Sequence, residues 1–289
     1  MFALISKDAG GAEYVSRYGK KIKGNFHISC EGPAKKIFRK NLKKKRILNY
    51  KTAINKSSTV ICSTGTSSNY EKRAMIYALK KNKKLIVFLD SWTEYEQRFT
   101  FKGKKIIPTQ IFVSDIFAKN LIKKQNFKNI KIVGNPYLED FKKYIKLKKK
   151  IKKKNFKKIL FLTEPVSKDL KKFYTEKTCL NFFLESLKYI KFKYKHVHIR
   201  PHPSESNIKY SWVKKKYKSI IISKKKNLFQ DIYESDLIFG INSVALVLGL
   251  LAKKKVICSI NSYKKCNLPH KDILYLREIV KNKNYFFKI

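Results

Sequence analysis

The stretch of the chain with the most specific chemistry is His196-Val197-His198-Ile199-Arg200-Pro201-His202-Pro203-Ser204-Glu205. An apolar run ends at Ile199, and His202 then sits between two prolines, each of which locks its own φ. The imidazole is therefore presented on a rigid turn, where a neutral or protonated ring can donate a hydrogen bond to a phosphate. The plainer alternative is a histidine on a surface turn. His196 and His198 alternate as a metal pair would, but no carboxylate or cysteine follows at ligand spacing, so no metal is expected. The second stretch runs from Asp236 through Gly240, Asn242 and Ser243 into the apolar segment Val244 to Ala252. A buried strand ending at Gly240 would place Asn242 or Ser243 as the cap of a buried helix, whose free N–H groups favour an anion beside the His202 turn. Capping by itself also accounts for Ser243. Pro203 and Glu205 accompany His202 as candidates for the same site, and Arg200, like Arg98, is a candidate for a cleft loop where a planar guanidinium is needed.

Three further stretches lie in the first half. Ser6-Lys7-Asp8-Ala9-Gly10-Gly11 follows an apolar run and opens a helix. Gly10 and Gly11 allow close backbone approach or simply a tight turn, and Asp8 stands where a general base is useful. The spacing is not G-x-G-x-x-G, so dinucleotide binding is not expected. Ser63-Thr64-Gly65-Thr66-Ser67-Ser68 again joins a strand to a helix; Thr64, Gly65 and Thr66 are candidates for lining a site, and Ser67 or Ser68 for capping the helix that carries Glu71. In Phe88-Leu89-Asp90-Ser91-Trp92-Thr93-Glu94-Tyr95-Glu96-Gln97-Arg98-Phe99, a strand runs into carboxylates, aromatics and an arginine. Asp90 is the second candidate base. Its pairing with Arg98 is either part of a site or a structural ion pair.

The elements that position these residues alternate. Strands are predicted at residues 2–6, 59–63, 84–89, 111–113 and 130–133, then at 158–162, 196–199, 219–222, 237–240 and 255–259. Helical spacing is predicted at 11–18, 33–39, 68–80, 117–125, 175–189, 228–234 and 244–252. Strands separated by helices imply parallel sheets covered on both faces. The Lys-dominated segment 141–157 reads as a linker or a solvated linking helix. The expected fold is α/β: two Rossmann-like, doubly wound parallel-sheet domains, residues 1–145 and 146–289, facing one another across a cleft.

With 289 residues, of which 43% are apolar, the chain is long enough for two cores, and intrinsic disorder is excluded as its main state. The net charge of +48 is carried by sixty-one Lys and only seven Arg. Arg is the residue suited to bidentate base and phosphate recognition, so this split argues against nucleic acid as the partner. Codon drift explains most of the Lys excess; attraction to anionic lipid headgroups or to a phosphorylated substrate is the functional remainder. Five Cys without a C-x-x-C pair, and no apolar stretch long enough to cross a bilayer, lead to the expectation of a reduced, cytoplasmic protein, peripheral at the inner face of a membrane if the basic surface is used.

Taken together, Arg200-Pro201-His202-Pro203 and Asn242-Ser243 with the apolar helix after them resemble the glycosyltransferase B superfamily. Within it they resemble bacterial sialyltransferases, capsular Kdo transferases and CDP-glycerol glycerophosphotransferases. The resemblance covers about the last third of the chain. It departs at Asn242-Ser243, where those families often carry two hydroxyl residues, and their N-terminal acidic motif is only partly echoed by Asp8-Ala9-Gly10. It implies that His202 and Ser243 hold the phosphate of a cytidine-type donor. It also implies a metal-independent inverting transferase that needs no cofactor, the nucleotide-sugar being a substrate and a surface glycan or lipid-linked saccharide the acceptor. A UDP-sugar 2-epimerase of the same fold is the alternative within that resemblance, and a basic nucleic-acid-binding protein the alternative outside it.

Overall fold

The computed structural model describes residues 1–43, 46–66, 69–148, 157–166, 170–217, 219–223 and 227–282, the side chain of residue 207 excepted. The chain divides into two compact units, Met1–Glu139 and Asp140–Ile289. The first carries β1 (Phe2–Ser6), β2 (Phe26–Cys30), β3 (Thr59–Cys62) and β4 (Lys84–Leu89), a short hairpin of β5 (Thr100–Phe101) and β6 (Lys104–Lys105), then β7 (Gln110–Val113) and β8 (Ile130–Ile132). The second carries β9 (Lys158–Leu162), β10 (His196–Arg200), β11 (Ile220–Ile222), β12 (Leu237–Gly240), β13 (Lys255–Cys258) and β14 (Ile273–Tyr275).

Each unit has a six-stranded sheet, ordered β2-β1-β3-β4-β7-β8 in the first and β11-β10-β9-β12-β13-β14 in the second. Every pairing within them is parallel. Parallel strands covered by helices are buried on both faces, which is why the central ones read as unbroken apolar runs: Ala3, Leu4 and Ile5 in β1 and Ile159, Leu160 and Phe161 in β9 are fully buried. The chain reverses its direction of winding between β1 and β3, and between β9 and β12. The crevice at the carboxyl ends of such a strand pair is where open α/β sheets take their ligands.

All ten predicted strands are present, their ends differing by at most one residue. The two sheets each add one strand that the pattern of apolar runs does not reveal, β2 and β14. β2 (Phe-His-Ile-Ser-Cys) has no apolar run, yet Ser29 is fully buried because its hydroxyl donates to Leu48 O (2.7 Å) and lies 2.7 Å from the Tyr70 hydroxyl. β14 is only three residues long. The predicted linker is in part a packed helix, Pro136–Lys148. Its Phe141 is fully buried and stacks with Tyr144 against Phe229 and Tyr233 of the helix Leu228–Tyr233. Residues 149–156 lie outside the described residues.

In the first unit the helix Ala9–Gly19 packs on β1 and β4 through Tyr14 and Tyr18, whose rings meet Phe88 and Phe112. In the second, Phe183 of the helix Glu176–Ser186 sits against Phe161 and Phe239. All five cysteines are buried and free. Among the described residues no helix is long and apolar enough to cross a membrane.

Candidate functional site

Each unit gathers its candidate residues at the reversal of its sheet. In the first unit, β1 ends at Ser6 and β3 at Cys62, and the hydroxyls of Ser6 and Ser63 are joined there by a 2.7 Å hydrogen bond. The helix Ala9–Gly19 starts so close to them that a Cβ on Gly11 would stand 2.4 Å from the Ser63 Cβ. One on Gly10 would stand 2.3 Å from an Asp90 carboxylate oxygen. Gly11 is thus required for the close approach and not merely for a turn, whereas a side chain at position 10 would only have to displace the Asp90 carboxylate.

Around this start stand three carboxylates and one guanidinium. Asp8 is the residue before the helix and makes no side-chain capping bond. Glu71, fully buried in the first turn of the helix Asn69–Lys80, accepts from the backbone N–H groups of Lys7 (2.7 Å) and Asp8 (3.2 Å). Asp90, just past β4, accepts from Arg98 Nη1 at 3.2 Å. Arg98 is itself buried and donates also to the carbonyls of Thr93 (2.9 Å) and Thr64 (3.2 Å) and to the Thr64 hydroxyl (3.0 Å). Burial, reinforced by the charges of Glu71 and Asp90 and opposed by Arg98 and Lys7, pushes the Asp8 carboxyl up to about 7. Burial also raises Asp90, against the pull of Arg98. A carboxyl poised near neutrality can take and return a proton at physiological pH.

The structure thus brings together Asp8, Gly10, Gly11, Thr64, Asp90 and Arg98. Gly65 is buried in the same loop, and the Thr66 carbonyl accepts from Lys72 Nζ at 3.5 Å. Ser67 and Ser68 lie outside the described residues. The sequence marks Glu71 only as a companion of the helix cap. The one signal that could have singled it out is a carboxylate in the first turn of a helix that follows a hydroxyl-rich strand end.

In the second unit the end of β9 ties two loops together. Thr163 accepts the backbone N–H of His202 on its hydroxyl (3.0 Å), and Glu164 accepts the backbone N–H of Asn242 (2.9 Å). The strands β10 and β12 that lead to those loops flank β9, so their ends are about two strand spacings, ~10 Å, apart. Ser204 N–H donates to His202 Nδ1 (3.2 Å), and the Ser204 hydroxyl lies 2.7 Å from the same nitrogen. An Nδ1 that accepts leaves the neutral ring with its proton on Nε2, as a donor. Burial holds the ring's pKa below its ordinary value, against the opposing charge of Glu205, so His202 is neutral at pH 7.

Ser243 caps the helix Val244–Leu251 by accepting from Ala245 N–H at 3.2 Å, as the sequence suggested. The Asn242 side chain accepts from Asn267 N–H (2.9 Å) and the Cys266 thiol (3.1 Å), which fixes the helix entry. Glu205 turns its carboxylate inward, where it accepts from Thr163 Oγ1 (2.5 Å), His202 N–H (3.2 Å), Lys209 Nζ (2.6 Å) and Tyr210 OH (2.8 Å). Although burial pushes it up, the hydrogen bonds from Lys209, Thr163 and Tyr210 hold Glu205 below the usual carboxylate range. It shapes the His202 turn, while Pro203 stays exposed. Arg200 points to Asp231, a fully buried carboxylate that also binds Lys158 Nζ (3.2 Å) and the Ser223 hydroxyl (2.9 Å). That buried ion group ties the start of β9 to the end of β10. Among the described residues no three His, Cys, Asp or Glu side chains gather as metal ligands would.

No family model and no curated protein matches the sequence. Solved structures match in fold. The UDP-GlcNAc 2-epimerase of Methanocaldococcus jannaschii, in complex with UDP-GlcNAc and UDP, superposes with a TM-score of 0.70 at 13% identity, over 97% of this chain and 91% of that one. The UDP-GlcNAc 2-epimerase of Neisseria meningitidis bound to UDP-GlcNAc gives 0.66 at 12%, over 98% and 90%. A form of the wall teichoic acid polymerase TagF soaked with CDPG gives 0.52 at 12%, over 89% and 69%. The chain therefore has the glycosyltransferase B-type fold, two α/β units with parallel six-stranded sheets, and its neighbours of that fold are enzymes. Identities this low carry the fold and not the donor.

Proposed function

We propose that this protein is a glycosyltransferase that moves a sugar from a nucleotide-activated donor to a surface polysaccharide or lipid-linked acceptor, by inversion and without a metal ion. The observation that carries the reading is His202, whose Nδ1 accepts from Ser204 so that the neutral ring keeps its donor proton on Nε2, on the loop after β10, with the Ser243-capped helix start on the loop after β12, the other neighbour of β9. Negative charge develops on the donor phosphate as the sugar–phosphate bond breaks, and a preorganised N–H donor with a helix N-terminus stabilises it there. In the first unit Asp8 takes the proton of the acceptor hydroxyl as its oxygen bonds to the anomeric carbon; the nucleotide leaves with the electron pair of the broken bond. Asp90 is the second choice for that base. The resemblance of the His202 and Ser243 motifs favours a cytidine-type donor.

A second reading, a UDP-sugar 2-epimerase-like enzyme, is favoured by one specific feature. Epimerisation next to a carbonyl or acetal carbon removes and returns a proton, and the cluster of Asp8, Asp90 and Glu71 with Arg98 offers more acid–base groups than a single transfer needs. Thermal-shift titrations with CMP, CDP, UMP, UDP and GDP in EDTA, on wild type and His202→Ala, separate the readings, since a ligand that binds only the folded state raises Tm. A cytidine-nucleotide shift that vanishes in His202→Ala is the expected result. A UDP or GDP shift moves the donor class and favours the second reading or another transferase family, and no shift with any nucleotide refutes both.

A further inference from the structure

Glu71 has no part in the transfer chemistry described above, yet it is fully buried and aimed at the loop that carries Asp8. Its carboxylate receives two consecutive backbone N–H groups, those of Lys7 and Asp8, the first residues beyond β1. Those bonds reach 63 and 64 residues along the chain, from the helix after β3 to the strand beside it. Glu71 thus fixes the Asp8 backbone from the neighbouring element, a task that a neutral acceptor could also perform. What a neutral acceptor lacks is the charge.

We propose that Glu71 is a positioning residue for Asp8, holding the Asp8 loop by two consecutive backbone amides and adding a buried negative charge to the burial that already acts on the Asp8 carboxyl. The inference rests on the reading of Asp8 as the base. The charged groups acting on Asp8 come from four places: Glu71 on its helix, Asp90 after β4, Arg98 on the helix Tyr95–Phe99, and Lys7 beside it in the chain. Of these, Glu71 is the larger of the two repelling charges, and its side chain holds the Asp8 backbone N–H. A buried like charge raises the proton affinity of its neighbour.

Glu71→Gln tests this, because the amide oxygen can still accept from both N–H groups while the charge is gone. The readout is the titration of the Asp8 side-chain carboxyl by 13C NMR on the full chain, assigned with Asp8→Asn and followed without substrate. The expected result is a midpoint of about 7 in wild type that falls by about one pH unit in Glu71→Gln. Glu71→Asp keeps the charge but shortens the reach, so it should hold the midpoint near the wild-type value and lower kcat more than it changes KM. A midpoint unmoved in Glu71→Gln overturns the proposal. Should the variants not fold, the wild type decides alone: an Asp8 carboxyl titrating at about 4, as an unperturbed aspartate does, overturns it. A failure of nucleotide binding, by contrast, refutes the proposed function and leaves this titration as it is.

Discussion

Replacing Asp8 by Asn should make the protein more stable while abolishing its chemistry, and the size of the gain should depend on pH. In the folded protein the Asp8 carboxyl sits at about 7, against 3.8 for an unperturbed aspartate. Because the folded value is the higher one, the folded state binds more protons between the two, and its stability falls as pH rises through that window. The contribution is fully present below the unfolded value and is lost once pH passes the folded one. Each pH unit is worth about 1.4 kcal/mol, so relative to acid pH Asp8 lowers the stability by about 2 kcal/mol at about pH 5.5, where the folded carboxyl is still protonated, and by about 4 kcal/mol at about pH 8.5, where it is ionised. Asparagine has the same shape and no charge to desolvate. The gain from Asp8→Asn should therefore be larger at the higher pH by about 2 kcal/mol. Urea denaturation reports this through Trp92, which is buried in the first unit, in a Trp212→Phe background that silences the other indole. An equal gain at both pH values, or destabilisation by Asp8→Asn at the higher one, would refute the reasoning, since either result means that Asp8 carries no desolvated charge. Stabilisation on removal of a buried carboxylate is the general mark of a group held against its own electrostatics.

Two further outcomes follow from the same geometry. Asp231→Asn leaves Lys158 and Arg200 without their buried counter-charge, so the second unit should lose about 3–5 kcal/mol in denaturant titrations; because Asp231 is held below its ordinary value by Lys158 and Arg200 against the effect of burial, the wild type should lose this contribution only as pH falls below 3.8. Gly11→Ala forces the helix Ala9–Gly19 away from Ser63, and should lower the stability of the first unit by about 1–3 kcal/mol; a neutral effect would mean that the close approach is not real.

The site was legible in the sequence wherever a single local rule places a residue. Asp8, Thr64 and Asp90 each stand just past a predicted strand, and parallel strands put all such positions at one end of a sheet. His202 was marked by its two prolines and Ser243 by the apolar helix behind it. The sequence places Glu205 with the phosphate-binding residues because it follows His202, and Arg200 on a cleft loop because arginine is scarce in this chain. The structure gives each an inward partner instead, Asp231 for Arg200, and Lys209, Tyr210 and Thr163 for Glu205. A side chain's direction is set by what lies across the fold, and flanking sequence holds no record of that. Glu71 escaped notice for the same reason, since its partners are 63 and 64 residues away.

The sequence by itself determined the alternation of strands and helices, because burial on both faces of a parallel sheet demands continuous apolar runs and those runs are visible one segment at a time. It also determined which residues stand at strand ends and helix starts, since glycine, proline and hydroxyl side chains act on the backbone within a turn of themselves. Only the tertiary structure decided the order of the strands, with the reversals between β1 and β3 and between β9 and β12 that choose which strand ends share a crevice. The same holds for the charge that each group can carry. The proton affinity of Asp8 depends on burial and on Glu71, Asp90 and Arg98, groups brought beside it by three other elements, and electrostatic energy depends on distance through space rather than along the chain.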